Sequence, residues 1–203
     1  VLGASSKTTI GNLSLTSVCI LAAFIVQWLM FIPAFLFKTE RYFDLTGSLT
    51  YISLVIVALA LGLADARSLL LGAMVLLWAV RLGSFLFARV SQAGEDRRFR
   101  KMKHHFIEFL MTWTLQGLWV VMTLAAALTA MTTDQAVPLD LFALIGALVW
   151  AIGWLIEVMA DRQKTNFRAI PENKEAFITS GLWAWSRHPN YFGEITLWLG
   201  IAI

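Results

Sequence analysis

Apolar residues in this chain arrive in long unbroken runs, not at the alternating spacing of strands. Five runs, at residues 13–37, 48–64, 69–90, 107–131 and 139–160, have about the ~17–25 residues that an α-helix needs to cross a bilayer. A sixth starts near Pro189, but the sequence stops at Ile203, about fifteen residues on, where a crossing needs more. The pattern predicts an all-α integral membrane protein, a multi-span helical bundle of five full spans plus a truncated sixth, with a C-terminal helical segment missing. No internal repeat, low-complexity tract or long linker interrupts the runs, so the bundle reads as one domain over residues 1–203.

Composition agrees with that reading. The 203 residues are 59% hydrophobic and 14% charged, with a mean hydropathy of +0.72, against roughly 25% charged for a soluble domain. The net charge of +3 does not point to nucleic acid, because the basic residues sit in short loops between apolar runs. Orientation signals and lipid contacts account for them there. Lys38 and Arg41 in the first loop, Arg89, Arg97, Arg98, Arg100, Lys101 and Lys103 in the third, and Arg162, Lys164, Arg168, Lys174 and Arg187 in the fifth fall on one face. Lys7 and Arg67 fall on the other. Lysine and arginine are retained on the cytoplasmic side, so the N-terminus is expected outside and residues 187–188 in the cytoplasm. Cys19 is the single cysteine and lies within an apolar run, which excludes an intramolecular disulfide and a cysteine metal cluster. The opening residues show no cleavage-site pattern, so no signal peptide is expected, and residues ahead of Val1 are expected to be missing.

Residues 179–194 break the uniform background. Proline is favoured at the first helical position, where its missing N–H would be unpaired anyway, so a helix is predicted from Pro189 with His188 or Ser186 as its cap. Ser186, Arg187, His188 and the free N–H groups then crowd one helix N-terminus, which attracts anions, a phosphate above all. The alternative is an interfacial anchor, with Trp183, Trp185 and Tyr191 as belt aromatics and Arg187 facing lipid headgroups.

Polar groups within the spans need a partner or a cavity. Arg81 lies midway along its span with Trp78 and Phe85 on its face, suited to an ion pair with Asp44 or Glu108 or to a ligand. Glu108, Thr112 and Gln116 recur every four residues, as an interhelical hydrogen-bonding stripe or a cavity wall. Glu157, Asp161, Lys164 and Arg168 draw one continuous face on the fifth helix, running from inside the membrane past its boundary. Carboxylates beside basic residues suit a ligand with ribose hydroxyls at one end and phosphates at the other, which makes Lys164, Ser186, Arg187 and His188 cofactor candidates as well. His104 and His105 read as solvated loop histidines. Tyr42 and Asp44 stand where the second span starts, and Asp44 is expected either as a helix cap, the commoner role, or as a proton donor.

Leu182, Trp183, Ser186, Arg187, His188, Pro189, Asn190, Tyr191, Phe192, Gly193 and Glu194, preceded by Asp161, Lys164 and Phe167, resemble the C-terminal domain of the steroid 5-alpha-reductase family and its bacterial membrane relatives. The likeness extends more loosely through Arg81, Leu82 and Gly83, and covers most of the chain from near Thr39. It implies a membrane-embedded reductase that transfers hydride from NADPH to a double bond conjugated to a ketone. The implied substrate is a lipid or sterol-like enone, and the implied setting is the bacterial inner membrane with the cofactor facing the cytoplasm. Glu157, Asp161 and Arg168 correspond to cofactor-binding positions on the fifth helix, and Asn190, Tyr191, Glu194 and Trp198 to those on the next. Counting back from Arg81, Asp44 meets the glutamate that in the steroid enzymes helps polarise the ketone, and Trp78 meets its tyrosine partner. A Trp N–H donates a hydrogen bond but cannot deliver a proton. The catalytic role is therefore expected of Asp44, with Tyr42 beside it and Arg81 as a fixed positive charge. The isoprenylcysteine carboxyl methyltransferases, which use S-adenosylmethionine, share the Arg187, His188, Pro189 and Tyr191 pattern and form the alternative enzyme. A non-catalytic membrane scaffold or lipid-binding protein is the alternative from another class. No Gly-x-Gly-x-x-Gly is present, so a soluble-type nucleotide fold is excluded.

Overall fold

The computed structural model describes residues 9–173 and 176–203, so Lys7 and Lys174, both used in the expected orientation, lie outside the described residues. It contains two compact units, Val1–Pro138 and Leu139–Ile203. In the first, a short antiparallel hairpin of β1 (Thr9–Ile10) and β2 (Leu13–Ser14) leads into α1 (Leu15–Leu36), α2 (Phe43–Leu61), α3 (Ala66–Ala93) and α4 (Phe106–Thr132). The second holds α5 (Leu141–Ala169) and α6 (Pro189–Ala202). Helices α1 to α5 are each long and apolar enough to cross a membrane, and the chain is an all-α multi-span integral membrane protein.

In the first unit α2 packs on α4, with α1 and α3 each lying against both. Among the buried residues of α1, Leu15, Cys19, Ala23, Gln27 and Phe31 recur every fourth position. Those of α4, Trp113, Gly117, Val120, Leu124, Ala127 and Met131, alternate steps of four and three, the spacing of helices that cross at a shallow angle. Outward positions such as Leu21, Ile25, Leu29 and Ile32 are exposed, as lipid-facing residues must be.

Helix ends depart from the apolar runs where polar residues satisfy themselves. The second helix starts at Phe43 rather than residue 48, because Thr46, Ser48 and Thr50 return their hydroxyls to the carbonyls of Tyr42, Asp44 and Thr46. Asp65 caps α3, its Oδ1 accepting from Ser68 N–H at 2.7 Å, while its Oδ2 accepts from Val137 N–H at 2.9 Å. Burial pushes this carboxyl up, but the hydrogen bonds from Ser68 and Val137 outweigh it and hold Asp65 below the usual range. At the end of α1, Lys38 adopts a left-handed conformation (φ 50°) and Thr39 N–H bonds back to the Ala34 carbonyl, a turn that delivers the chain to Glu40.

In the second unit α5 and α6 run antiparallel in close contact. Gly146 and Gly153 on α5 meet Gly200 and Gly193 on α6. A Cβ on Gly146 would sit 2.6 Å from the Gly200 carbonyl oxygen, and one on Gly193 2.6 Å from the Glu157 amide nitrogen. Small residues at such positions let two membrane helices approach backbone to backbone. That approach brings the carboxylate face of α5 against the first turns of α6.

Candidate functional site

The polar face of α5 divides by depth. Glu157 and Asp161 are 3% and 7% exposed, whereas Lys164 and Arg168, further along, are exposed. At 1.5 Å rise per residue, the face from Glu157 to Arg168 is about 16 Å long, more than a single ribose occupies. Asp161 Oδ1 accepts from Asn190 Nδ2 at 3.4 Å across the helix pair. The other amide atom, Asn190 Oδ1, is buried with no hydrogen-bond partner among the described residues. Glu194 and Trp198 follow on α6, both half-buried.

The segment before α6 folds back onto α5. Gly181 takes a left-handed φ of 60°, and a Cβ there would lie 2.7 Å from the amide of Gln163, whose Oε1 accepts the Leu182 N–H at 3.0 Å. Trp183 Nε1 donates to the Ala160 carbonyl at 3.0 Å, and the Lys164 ammonium lies 5.0 Å from its ring centre. Of the three expected belt aromatics, Trp183 is thus docked on α5, while Trp185, at 93%, and Tyr191 are exposed. Helix α6 does begin at Pro189 with His188 as its N-cap residue, but neither expected side chain caps it. Ser186 Oγ instead accepts from His188 N–H at 3.2 Å, and the His188 ring stacks on Tyr191 with centres 5.3 Å apart. Arg187 is exposed, and Arg168 Nη1 donates to the Asn173 carbonyl at 3.1 Å. Glu157, Asp161, Lys164, Arg168, Ser186, Arg187, His188, Asn190, Tyr191, Glu194 and Trp198 all belong to this one unit.

Tyr42, Asp44 and Arg81 belong to the other. Asp44 is not the cap of α2, whose N-cap residue is Tyr42 and which receives no side-chain cap bond. Its carboxylate lies in the first turn and faces two guanidiniums, Arg98 at 3.4 Å and Arg89 at 3.9 Å. Arg98 also binds Asp96 at 2.7 Å. Arg81 lies two turns deeper along α3 than Arg89, with its guanidinium 5.3 Å from the Phe85 ring. Tyr42 stacks on Phe87, and Trp78 packs edge-on against Tyr51 at 5.0 Å. On α4 the expected stripe splits. Thr112 bonds back to the Glu108 carbonyl, Gln116 Nε2 donates to the Phe43 carbonyl at 3.0 Å, and Glu108, like His104 and His105, is exposed.

Sequence reasoning missed how the third loop closes this end. Glu40, 5% exposed, accepts from Asp96 N–H at 2.8 Å and from Lys103 Nζ at 2.9 Å. Phe99 is buried against Phe43 and Phe109, anchoring the loop. The available signal was Phe99 and Met102, apolar at helical spacing in an otherwise charged run. Glu95 is held below the usual carboxylate range by its hydrogen bond from Arg100. Burial pushes Asp96 up, but the hydrogen bonds and charge of Arg98 outweigh it and hold the group low.

No curated protein and no solved structure matches the chain. A family model does, over residues 30–203, and this covers both the ion-paired end of the first unit and the whole α5/α6 site. The chain belongs to the family described as Protein of unknown function (DUF1295).

Proposed function

We propose that this protein is a membrane-embedded, NADPH-dependent reductase that delivers hydride to a conjugated double bond of a lipid or sterol-like enone. The observation that carries the reading is the buried carboxylate face of α5 held against Asn190, with basic residues arrayed at its outer end. Asn190 Oδ1 calls for a donor, which a ribose hydroxyl provides. Glu157 and Asp161 accept further ribose hydroxyls, and Lys164, Arg168 and Arg187 suit phosphates through charge-assisted bonds. The residues therefore fit the nucleotide. S-adenosylmethionine has no phosphate and offers those three cations only a single carboxylate, so the methyltransferase reading is the weaker one. The family's relation to steroid 5-alpha-reductase-like membrane proteins points the same way.

When bound, the nicotinamide supplies the hydride. Negative charge then grows on the carbonyl oxygen of the acceptor, and some donor must stabilise it. Asp44 is the proposed proton donor, with Tyr42 beside it and Arg81 as a fixed positive charge, and the Arg89 and Arg98 guanidiniums that face Asp44 add to that charge. In the orientation read from the loops, the α5/α6 site faces the cytoplasm, where soluble nucleotides are found.

Purified protein in detergent, denatured to release any bound nucleotide, tests this directly. A released species with the near-ultraviolet absorbance of reduced nicotinamide, together with turnover of an enone, is expected. Released S-adenosylmethionine would replace the reading with the methyltransferase.

A further inference from the structure

Two glutamines in the first unit, Gln27 buried and Gln116 half-buried, each hold a buried side-chain oxygen with no hydrogen-bond partner among the described residues. Gln27 on α1 is 0% exposed, and its Nε2 donates to Thr50 Oγ1 at 2.9 Å. Thr50 commits its single O–H to the Thr46 carbonyl at 2.7 Å, so its oxygen can only accept, which fixes the end of the amide that faces it. Gln27 Oε1 is therefore turned away, buried and without a hydrogen-bond partner among the described residues. Gln116 on α4 obeys the same logic. Its Nε2 donates to the Phe43 carbonyl, which only accepts, and its Oε1 is likewise buried without a partner.

Both amides cover the start of α2. Gly47 lies against Gln116, where a Cβ would sit 3.1 Å from Cδ, and Gly117 lies against Gln27, where a Cβ would sit 3.3 Å from Cγ. Trp113, one turn before Gln116 on the same face of α4, adds the complementary group, a buried indole N–H without a partner among the described residues. A buried polar atom left in this condition is costly, and ordered water or a ligand normally satisfies it.

Two acceptors and one donor select the chemistry. A ketone or ether oxygen only accepts and would leave both glutamine oxygens unfilled. An ammonium donates, but a charge is expensive at the depth of the spans. A hydroxyl is neutral, donates and accepts. We propose that this seam between α1, α2 and α4 is a binding site for an O–H group, which donates to Gln27 or Gln116 and accepts from Trp113. A water has a second O–H for the other glutamine, whereas a lipid-like alcohol fills one acceptor and the donor. The inference stands apart from the reductase reading, since an enone carbonyl is not the group this seam takes.

Ultraviolet resonance Raman spectra of the full chain in lipid nanodiscs, taken as the difference between wild type and Trp113→Phe, isolate one indole. Its N–H is expected to be hydrogen-bonded. Thermal unfolding with 1-dodecanol or dodecane then separates the two sources. A rise in Tm with the alcohol alone, lost in Gln27→Met/Gln116→Met, assigns the seam to an alcohol ligand. No response to dodecanol with the hydrogen-bonded band present assigns it to water. A free indole band with no response to dodecanol overturns the proposal. If the double variant does not fold, a wild-type density map that resolves waters decides, by density within hydrogen-bond reach of Gln27 Oε1 or Gln116 Oε1 or by its absence.

Discussion

The two polar ends of this protein are built on opposite plans. In the first unit, carboxylates and cations neutralise one another within the chain. Glu40 holds Lys103, Asp44 and Asp96 hold Arg98 and Arg89, and Glu95 holds Arg100. In the second unit the charges are segregated by depth, with Glu157 and Asp161 buried beside an amide and Lys164, Arg168 and Arg187 outside. The first plan closes a loop onto a bundle. The second, on the function proposed for it, would serve a ligand that has hydroxyls at one end and phosphates at the other. Substitutions at the first end should therefore read out mainly in stability, and at the second mainly in binding.

The largest effect is expected at Glu40. Removing one partner of a buried pair strands the other charge, so Glu40→Ala should destabilise the protein by about 3–5 kcal/mol in denaturant unfolding. Glu40→Met combined with Lys103→Met should recover most of that loss, because apolar replacement of a buried pair is often neutral. A mild Glu40→Ala would mean that the loop is not clamped there.

Asp44 tests whether the ion-paired end also serves chemistry. Asp44→Asn is expected to lower enone turnover by ~10²–10³, the usual cost of one lost group at a developing oxyanion, with nucleotide affinity nearly unchanged. Full activity would make Asp44 a purely structural ion-pair partner.

At the other end, Asp161→Ala and Arg187→Ala should each weaken nucleotide binding by roughly tenfold to a hundredfold, as expected for about 1.5–3 kcal/mol from one charge-assisted contact. Unfolding midpoints should stay near wild type. A large stability loss with unchanged affinity would erase the contrast between the two ends.

The smallest effect is the acid response of the third loop. Glu95 and Asp96 are held below the usual carboxylate range when folded, so they bind protons more weakly there than in the unfolded chain. Their stabilisation is complete above the ordinary carboxylate range near pH ~4 and is lost as pH falls through their lower folded values. Asp96→Asn should flatten the fall in Tm below that point. An equal fall in the variant would place the acid sensitivity elsewhere.

What the sequence revealed differs between the same two ends, and for a physical reason. The α5 face was legible because Glu157, Asp161, Lys164 and Arg168 sit on one helix, where spacing alone puts them together. The start of α6 was legible because proline marks a first turn. The loop clamp was hidden, since Glu40 and Lys103 meet across 63 positions and a run of cations reads as solvated until Phe99 is seen to anchor it. Asp44 was misjudged as a cap because the apolar run begins only at residue 48, whereas the helix already starts at Phe43, with Thr46 bonding back to the Tyr42 carbonyl.

The central claim is that the α5/α6 face binds a phosphorylated nicotinamide nucleotide. Titrating purified protein in detergent with NADPH, followed by fluorescence of the reduced nicotinamide, tests it most directly, with Asp161→Ala alongside. Saturable binding by wild type, weakened at least about tenfold in the variant, is the result predicted. No saturable binding, or equal binding by a well-folded Asp161→Ala, would contradict it.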